Sequence, residues 1–199
     1  MASTAELIKQ LREETGAGFK DCRDALEANG GDLERAAAQL REKGLAAASK
    51  RSGRETRNGV LDIYSHGDGR VGVIVEVNCE TDFVGRTKEF RAFAHEVALQ
   101  VAAASPRWVR PEDIPADVLE GERSEAQREA QADGKSSAIA ERIVAGRLEK
   151  FYVDTCLLRQ PYIRDETRTL ADLLQEMIAT TGENISVRRF VRWTVGEEL

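Results

Sequence analysis

Hydrophobic residues recur at helical spacing in three consecutive segments at the start of the chain. The segments cover about 3–16, 19–29 and 32–44. In the first segment, Ser3 and Glu6 have the spacing of a capping box ahead of the apolar stripe. Asp32 can cap the third helix, which is predicted to end near Gly44. These helices predict a compact bundle at residues 1–45, of a size that is only marginally stable alone.

The bundle resembles a ubiquitin-associated domain, in which the loop TGAGF (15–19) presents its aromatic residue, Phe19, at the surface. Residues 46–58 come next and are rich in small and basic side chains, which is typical of a linker or a weakly held helix. Charge runs are usually solvated, so the pattern favours a solvated connector over a segment that contacts phosphates.

Alternating hydrophobic residues predict an antiparallel hairpin after this basic linker. The first strand reads GVLDIYSH (59–66), the residues GDGR (67–70) supply the turn, and valines alternate along VGVIVEVNC (71–79). From about Arg86 the spacing of apolar residues becomes helical. A helix is therefore expected to cover one face of this sheet.

The remaining segments complete an α+β core at residues 59–199. A proline-rich loop (105–115) precedes two segments that are predicted to form a helical hairpin at about 116–154, with a break at 132–137. An extended segment, a helix and a final strand follow, at 157–165, 169–182 and 185–195. The predicted fold class is α+β, with the N-terminal three-helix bundle, the linker, and a small antiparallel sheet covered by helices.

The composition favours an ordinary soluble protein of the cytoplasm. The net charge is −6, and charged residues make up 32% of the chain against 6% aromatic residues, which disfavours a general nucleic-acid-binding surface. The cysteines Cys22, Cys79 and Cys156 are far apart and form no CxxC pair, so neither a disulfide framework nor a zinc site is indicated. No secretion signal and no membrane span is expected.

Catalytic chemistry has little support in the sequence. The two histidines, His66 and His95, lack metal-ligand spacing and are expected to be structural or exposed. The chain contains no phosphate-binding glycine loop of the P-loop or dinucleotide type and no nucleophile elbow. An enzyme, a bound metal ion and a cofactor are therefore not expected.

The segment VGVIVEVNCETDFVGRTKEF (71–90) resembles the signature of bacterial translation elongation factor Ts. Other stretches are similar to the same family: LIKQLREETGAGFKDCRDALEANGGDLERAAAQLREKG in the bundle, GKSSAIAERIVAGRLEKF and LLRQPYI in the middle, and GENISVRRF near the end. The similarity spans nearly the whole chain, and chance agreement at several ordered places is not credible.

The resemblance implies a guanine nucleotide exchange factor for elongation factor Tu, whose bundle touches the GTPase domain of the partner. It also implies that a TDFV element lies next to the partner's nucleotide site and disturbs its Mg²⁺ ion and phosphates. In this sequence the element is Thr81, Asp82, Phe83 and Val84. Phe83 would act as an apolar wedge, and Asp82 would compete for groups that serve the metal or the phosphates. Thr81 and Val84 would hold the turn in shape.

The chain departs from the family pattern in two respects. Phe19 and Lys20 stand where the family often has two methionines, so an aromatic ring and a charge replace flexible contacts. Phe19 and Arg12 are weaker candidates for contact with the partner. The chain also has one copy of the hairpin core where many relatives have two, and its exposed sheet edge makes a homodimer physically reasonable. The final strand is the candidate edge.

Three alternative interpretations are kept. The TDFV residues could serve only their own chain, with Thr81 or Asp82 capping a helix and Phe83 or Val84 packed beneath it. The protein could be an RNA- or ribosome-associated accessory protein, given the basic linker and VRRFVRW (187–193), although its net acidity opposes this. A ubiquitin-type adaptor would explain the bundle alone.

Overall fold

The computed structural model describes residues 3–51, 53–132 and 136–198 of the chain. It has the α+β fold expected from the sequence. The helices are α1 (Thr4–Thr15), α2 (Phe19–Ala28), α3 (Leu33–Arg51), α4 (Asp82–Gly85), α5 (Lys88–Ala104), α6 (Ala116–Ala132), α7 (Ser137–Thr155) and α8 (Leu170–Thr181). The strands are β1 (Asn58–His66), β2 (Val71–Cys79), β3 (Pro161–Tyr162), β4 (Asp165–Thr169) and β5 (Ile185–Thr194).

The chain divides into two compact units, each built from several segments. The first unit comprises Met1–Leu61, Glu76–Ala94 and Asp172–Val187, and the second comprises Asp62–Val75, His95–Ala171 and Arg188–Leu199. A three-stranded sheet has the order β1-β2-β5, so β1 and β5 are its edge strands, and each strand contributes residues to both units. The division expected from the sequence, with boundaries at residues 45 and 58, stays a prediction.

The three helices at the start of the chain form a bundle with its own hydrophobic core, in the first unit. The buried side chains of this core are Ile8, Leu11, Cys22, Ala25, Leu26, Ala36, Ala37 and Leu40. The predicted capping box is present, because Ser3 Oγ accepts the Glu6 N–H at 3.3 Å and the Ser3 N–H donates to the Glu6 carboxylate at 2.7 Å. The Asp32 carboxylate accepts the Arg35 N–H at 3.1 Å, which confirms the predicted cap of the third helix.

The third helix is longer than the sequence pattern predicts. The expected end is near Gly44, but α3 continues to Arg51. The alanines after Gly44 are strong helix formers, and their propensity offsets the cost of one internal glycine, about 1 kcal/mol. Ala48 is buried, so the extension also gains packing. Residues 46–51 of the predicted linker are therefore helical, and residue 52 lies outside the described residues.

Strands β1 and β2 form the predicted hairpin, and Gly59 allows them to approach closely. Gly59 has a φ of +148°, and a Cβ atom added there would lie 2.1 Å from the Val77 carbonyl oxygen and 2.7 Å from Asn78 Cα. Val73, Val75 and Val77 are buried along β2, as their alternation predicts. This approach places the end of β2, where the TDFV residues follow, firmly against β1.

Helix α5 lies over one face of the sheet within the second unit, as predicted. His95 Nδ1 of α5 is 3.0 Å from Asp62 Oδ2 of β1. Arg192 of β5 donates its Nε–H to the Ala102 carbonyl of α5 at 3.4 Å. Because side chains alternate along a strand, the odd-numbered positions around residues 62 and 192 face away from α5.

The helical hairpin expected from the sequence is formed by α6 and α7. Arg147 of α7 reaches Glu129 of α6 at 2.9 Å and Glu122 at 4.0 Å. The predicted break between the helices falls partly on residues 133–135, which are outside the described ranges. The segment 157–165 differs from the prediction, because it begins with a 3₁₀ turn (Leu157–Arg159) before β3 pairs with β4. One helical turn is too short to leave a periodic pattern in the sequence.

We expect Gly59→Ala to destabilise the protein by about 2 kcal/mol or more, because the new methyl group overlaps the backbone of β2 and the residue keeps a strained φ. Gly72→Ala on β2 is the matched control, since a Cβ at Gly72 meets nothing within 4 Å. Urea unfolding followed by circular dichroism gives both free energies. Equal free energies for the two variants would contradict the proposed steric role of Gly59.

Candidate partner-binding site

Phe83 is the most exposed of the large hydrophobic side chains in the described residues, with 79% of its surface accessible. It lies on α4, a single helical turn that follows directly after strand β2. The ring is therefore not packed beneath the helix, and in the alternative in which these residues serve only their own chain the packed residue would be Val84, which is half-buried. Water covers a large apolar side chain here, and a partner could gain free energy by displacing it.

Thr81 holds the beginning of the turn. Its backbone is extended and its hydroxyl oxygen accepts the Val84 N–H at 3.4 Å, so Thr81 is the N-cap of α4. The same hydroxyl group donates to Glu183 Oε1 at 2.6 Å. Thr81 thus links the start of α4 to a residue that is distant in the sequence.

The Glu183 carboxylate accepts three hydrogen bonds from the turn. Besides the Thr81 hydroxyl, its Oε2 atom accepts the Glu80 N–H at 3.1 Å and the Thr81 N–H at 3.0 Å. Hydrogen bonds to an ionised acceptor are stronger than neutral ones, and each typically contributes about 1.5–3 kcal/mol. Glu183 therefore fixes the backbone from which the TDFV residues project.

In a second set of hydrogen bonds, residue 80 supplies the acceptor carboxylate and residue 184 the donor. The Glu80 carboxylate accepts the Asn184 N–H at 2.6 Å and lies 3.4 Å from Arg54 Nη1. Asn184 in turn donates its side-chain N–H to the Arg54 carbonyl at 2.7 Å. Residues 80–81 and residues 183–184 are therefore joined through two carboxylates, those of Glu80 and Glu183.

Cys79 lies buried beneath the turn. Its thiol donates to the Thr81 carbonyl at 3.1 Å, and its sulfur is 3.5 Å from where a Cβ of the buried Gly85 would lie. Burial raises the pKa of the Cys79 thiol, and the nearby Glu183 carboxylate raises it further. The thiol is therefore protonated at neutral pH, and it supports the turn as a hydrogen-bond donor rather than as a nucleophile.

Asp82 is available to a partner. The sequence leaves open whether Thr81 or Asp82 caps the helix, and the structure assigns the cap to Thr81. Asp82 instead forms an ion pair with Arg86 at 2.8 Å, with 49% and 75% of the two side chains exposed. Exposed pairs of this kind contribute about 0–1 kcal/mol, so little is lost when the carboxylate changes partner.

The two weaker candidates lie on the bundle, in the same compact unit as the TDFV turn. Phe19 is the first residue of α2, and 56% of its surface is exposed, as the sequence predicts. Arg12 is exposed on the last turn of α1. Both residues are distant in the sequence from residues 81–84. Their contact with a partner stays a prediction.

The histidines do not form a reactive centre. His66 Nδ1 is 2.9 Å from the Tyr64 hydroxyl, His95 is paired with Asp62, and both imidazoles are exposed. Across the part of the chain that the structure describes, no group of three or more His, Cys, Asp or Glu side chains could hold a metal ion. The predicted description of both histidines as structural or exposed is confirmed.

Sequence reasoning missed the residues that hold the turn, Glu183 above all. Glu183 follows Gly182, which has a φ of +73° just beyond the end of α8. The stretch GENISVRRF is similar to the family, but a single sequence does not show which of its residues contacts the TDFV turn. An alignment that revealed joint variation of positions 81 and 183 could have signalled the pair.

Comparison with known proteins decides the family. The family model described as "Elongation factor TS" matches residues 27–197. Elongation factor Ts of Coprothermobacter proteolyticus is 53% identical over 197 residues, which cover 99% of this chain and 100% of the relative. Elongation factor Ts of Caldanaerobacter subterraneus subsp. tengcongensis is 54% identical, covering 98% of this chain and 97% of the relative. The chain belongs to the elongation factor Ts family.

Membership in the elongation factor Ts family confirms the resemblance seen in the sequence and assigns the protein to translation elongation in protein biosynthesis. The Carboxydothermus hydrogenoformans elongation factor Ts is also 53% identical, over 98% of this chain and 90% of the relative. Among the described helices, none combines the length and the apolar character that crossing a membrane requires. The roles of residues 81–84 stay predictions.

Replacement of Thr81 by valine removes the hydroxyl but keeps the shape of the side chain. We expect Thr81→Val to destabilise the protein by about 1–3 kcal/mol, because it loses the cap and a hydrogen bond to a carboxylate. Hydrogen exchange at the Val84 amide should accelerate, since its acceptor is gone. Thr81→Ser retains the hydroxyl and should preserve slow exchange. An unchanged exchange rate at Val84 in the valine variant would show that Thr81 does not cap α4.

Proposed function

We propose that this protein is a non-enzymatic guanine nucleotide exchange factor for elongation factor Tu. The observation that carries the proposal is Phe83, an exposed ring on a firmly held turn at the position of the family's TDFV element. Membership in the elongation factor Ts family supports the identity of the partner. The exchange takes place in the cytoplasm, and this chain itself requires no nucleotide, metal or cofactor.

The nucleotide site of the partner is sensitive to small displacements. Mg²⁺ requires near-ideal octahedral geometry at about 2.0–2.1 Å, and a phosphate-binding loop relies on backbone N–H groups that point at the phosphates. A displacement of less than an ångström therefore weakens nucleotide binding. A small apolar wedge is sufficient for exchange, and no covalent chemistry is needed.

The TDFV residues have separate roles in this proposal. Phe83 enters a crevice beside the metal site, and burial of its ring stabilises the complex by about 1.5–3 kcal/mol. Asp82 exchanges its exposed pairing with Arg86 for groups of the partner that serve the metal or the phosphates. Thr81 and the half-buried Val84 keep the turn in shape.

The hydrogen bonds to Glu183 make this wedge effective, because the turn is ordered before it binds. A flexible loop loses conformational entropy when it becomes ordered at an interface, which weakens binding. A turn that is already ordered avoids this cost. The bundle surface around Arg12 and Phe19 provides the anchor on the GTPase domain. Two separate contacts are needed, since the anchor must stay bound while the wedge displaces the nucleotide.

Thermodynamic linkage relates the affinities of elongation factor Tu for its two ligands, GDP and the exchange factor. If the exchange factor weakens GDP binding by some ratio, GDP weakens binding of the factor by the same ratio, with about 1.4 kcal/mol for each factor of ten. The factor therefore binds the GDP form, stabilises the nucleotide-free form, and leaves when nucleotide rebinds.

We expect Phe83→Ala to lower the stimulated rate of GDP release from elongation factor Tu by about 10-fold to 150-fold, which corresponds to losing the burial of one ring. The measurement is release of fluorescently labelled GDP from the purified partner over a range of factor concentrations. Because Phe83 is exposed, the variant should keep the unfolding free energy of the wild type within about 0.5 kcal/mol.

Ile139→Ala is the matched control for this experiment, since Ile139 is an exposed apolar residue on α7, outside the proposed site. It should exchange nucleotide like the wild type. If Phe83→Ala also matched the wild type, the wedge would be wrong even though the family assignment stood. If the wild type itself failed to accelerate GDP release, the proposed function would be wrong.

A homodimer is the second assembly that we propose, through the outer face of the sheet in the second unit. Ile63 of β1 and Val191, Trp193 and Val195 at the end of the chain occupy the odd-numbered positions that face away from α5. All of them are exposed, and Trp193 has 59% of its surface accessible. Exposed apolar side chains on one sheet face favour association with a like surface, and β5 is also an edge strand.

Trp193→Glu tests the homodimer, because it places a charge on this apolar face. We expect sedimentation velocity to show a wild-type dimer and a monomeric variant at the same concentration. Ile139→Glu introduces the same charge on α7 and should leave the dimer intact. A monomeric wild type at all concentrations tested would refute the homodimer without affecting the exchange proposal.

A further inference from the structure

The end of α8 contacts both surfaces that the exchange proposal requires. We call residues 179–184 the α8 end segment. Within the first unit, Thr180 of this segment lies beside Gly16, in the bundle loop that precedes Phe19. Glu183 of the same segment accepts the hydrogen bonds from the TDFV turn. The anchor and the wedge therefore share one supporting element.

The contact with the bundle is close. Gly16 ends α1 with a φ of +66°, and a Cβ added there would lie 2.8 Å from Thr180 Oγ1 and 3.2 Å from its Cγ2. Gly44 of α3 approaches the segment in the same way, since its added Cβ would be 3.1 Å from Ala179 Cβ. Glycine at these two positions permits an approach that any side chain would obstruct.

The contact with the turn is polar and reciprocal. Glu183 binds the backbone of residues 80 and 81, while the Asn184 N–H donates to the Glu80 carboxylate. Thr180 lies in the last turn of α8, and the Glu183 N–H donates to the hydroxyl of Thr181, the last residue of that helix, at 3.4 Å. Because this hydrogen bond ties Glu183 to the end of the helix, a shift at one of these contacts is transmitted to the other.

We propose that the α8 end segment fixes the spacing between the bundle loop and the TDFV turn, with Glu183 as the positioning residue for Phe83. This inference rests on the proposed function. A factor that must hold one part of its partner while displacing another needs both contacts at a set distance. When the spacing is lost, the anchor still binds but the wedge reaches its crevice less often.

Glu183→Ala tests the positioning role through its dependence on Phe83. We expect the maximal rate of GDP release at saturating factor to fall by about 10-fold, while the half-saturating concentration changes by less than about 2-fold, because the anchor is intact. Adding Phe83→Ala to Glu183→Ala should cause no loss beyond that of Phe83→Ala alone, since both changes act through the same ring.

Two further variants separate positioning from folding. Glu183→Gln keeps an oxygen that can accept the two backbone N–H groups, so it should recover most of the maximal rate. Glu34→Ala removes an exposed carboxylate from α3 and should match the wild type. A Glu183→Ala protein that unfolds more easily but releases GDP at the wild-type maximal rate would overturn the proposal. So would losses from Glu183→Ala and Phe83→Ala that multiply in the double variant. An inactive wild type would instead refute the proposed function.

The bundle contact has its own test, which changes no residue of the turn. Gly16→Ala should lower the ratio of maximal rate to half-saturating concentration by about 10-fold, because the methyl group pushes against Thr180. Gly30→Ala is the control for strain, since Gly30 has a φ of +63° but its added Cβ meets nothing within 4 Å.

Thr180→Ala removes the two atoms closest to the added methyl group, so Gly16→Ala with Thr180→Ala should recover the wild-type ratio. A direct contact between residue 16 and the partner would not be relieved by this second change. Failure of Thr180→Ala to restore exchange, or an equal loss in Gly30→Ala, would contradict the role of the α8 end segment.

Discussion

The hydrogen bonds of the Glu183 carboxylate hold the turn that keeps Phe83 exposed, against the hydrophobic effect that favours burial of its ring. An exposed phenylalanine gains about 1.5–3 kcal/mol when it is buried, so a flexible turn would fold Phe83 against the protein's own surface. The three hydrogen bonds from Glu80 and Thr81 to Glu183 hold the backbone in place, and the ring remains 79% exposed. The exposure of Phe83 thus depends on a polar interaction with the backbone of the turn.

Elements whose signals are local could be predicted from the sequence. The capping box of Ser3 and Glu6 and the alternating valines of β2 depend on residues that are close together in the chain, and the structure contains both. The identity of the TDFV segment also came from a contiguous motif. For the capping box and the strand, the physical cause acts over a few residues, which is the range that a pattern reports, whereas the TDFV segment was identified by its resemblance to the family.

The support of the site could not be predicted in this way. Glu183 is separated from Thr81 by 102 positions, and no periodicity relates them. Only the folded arrangement of β2 and the end of α8 brings the carboxylate to the turn. Similarly, α3 runs past Gly44 because the alanines that follow favour a helix and Ala48 is buried, whereas the glycine by itself suggested an end. Predictions from short stretches of sequence fail where tertiary packing outweighs the local conformational preference of the chain.

In the proposed function, the exchange cycle limits how strongly the Phe83 wedge can bind. Since linkage is reciprocal, the free energy by which Phe83 and Asp82 weaken GDP must later be supplied by the incoming nucleotide to release the factor. One ring and one exposed carboxylate provide an interaction of about 1.5–3 kcal/mol, or roughly 10-fold to 150-fold. A larger apolar surface at the turn would displace GDP more completely but would trap the partner without nucleotide. Under this proposal, a single phenylalanine on a held turn is large enough to weaken GDP binding and small enough for the incoming nucleotide to release the factor.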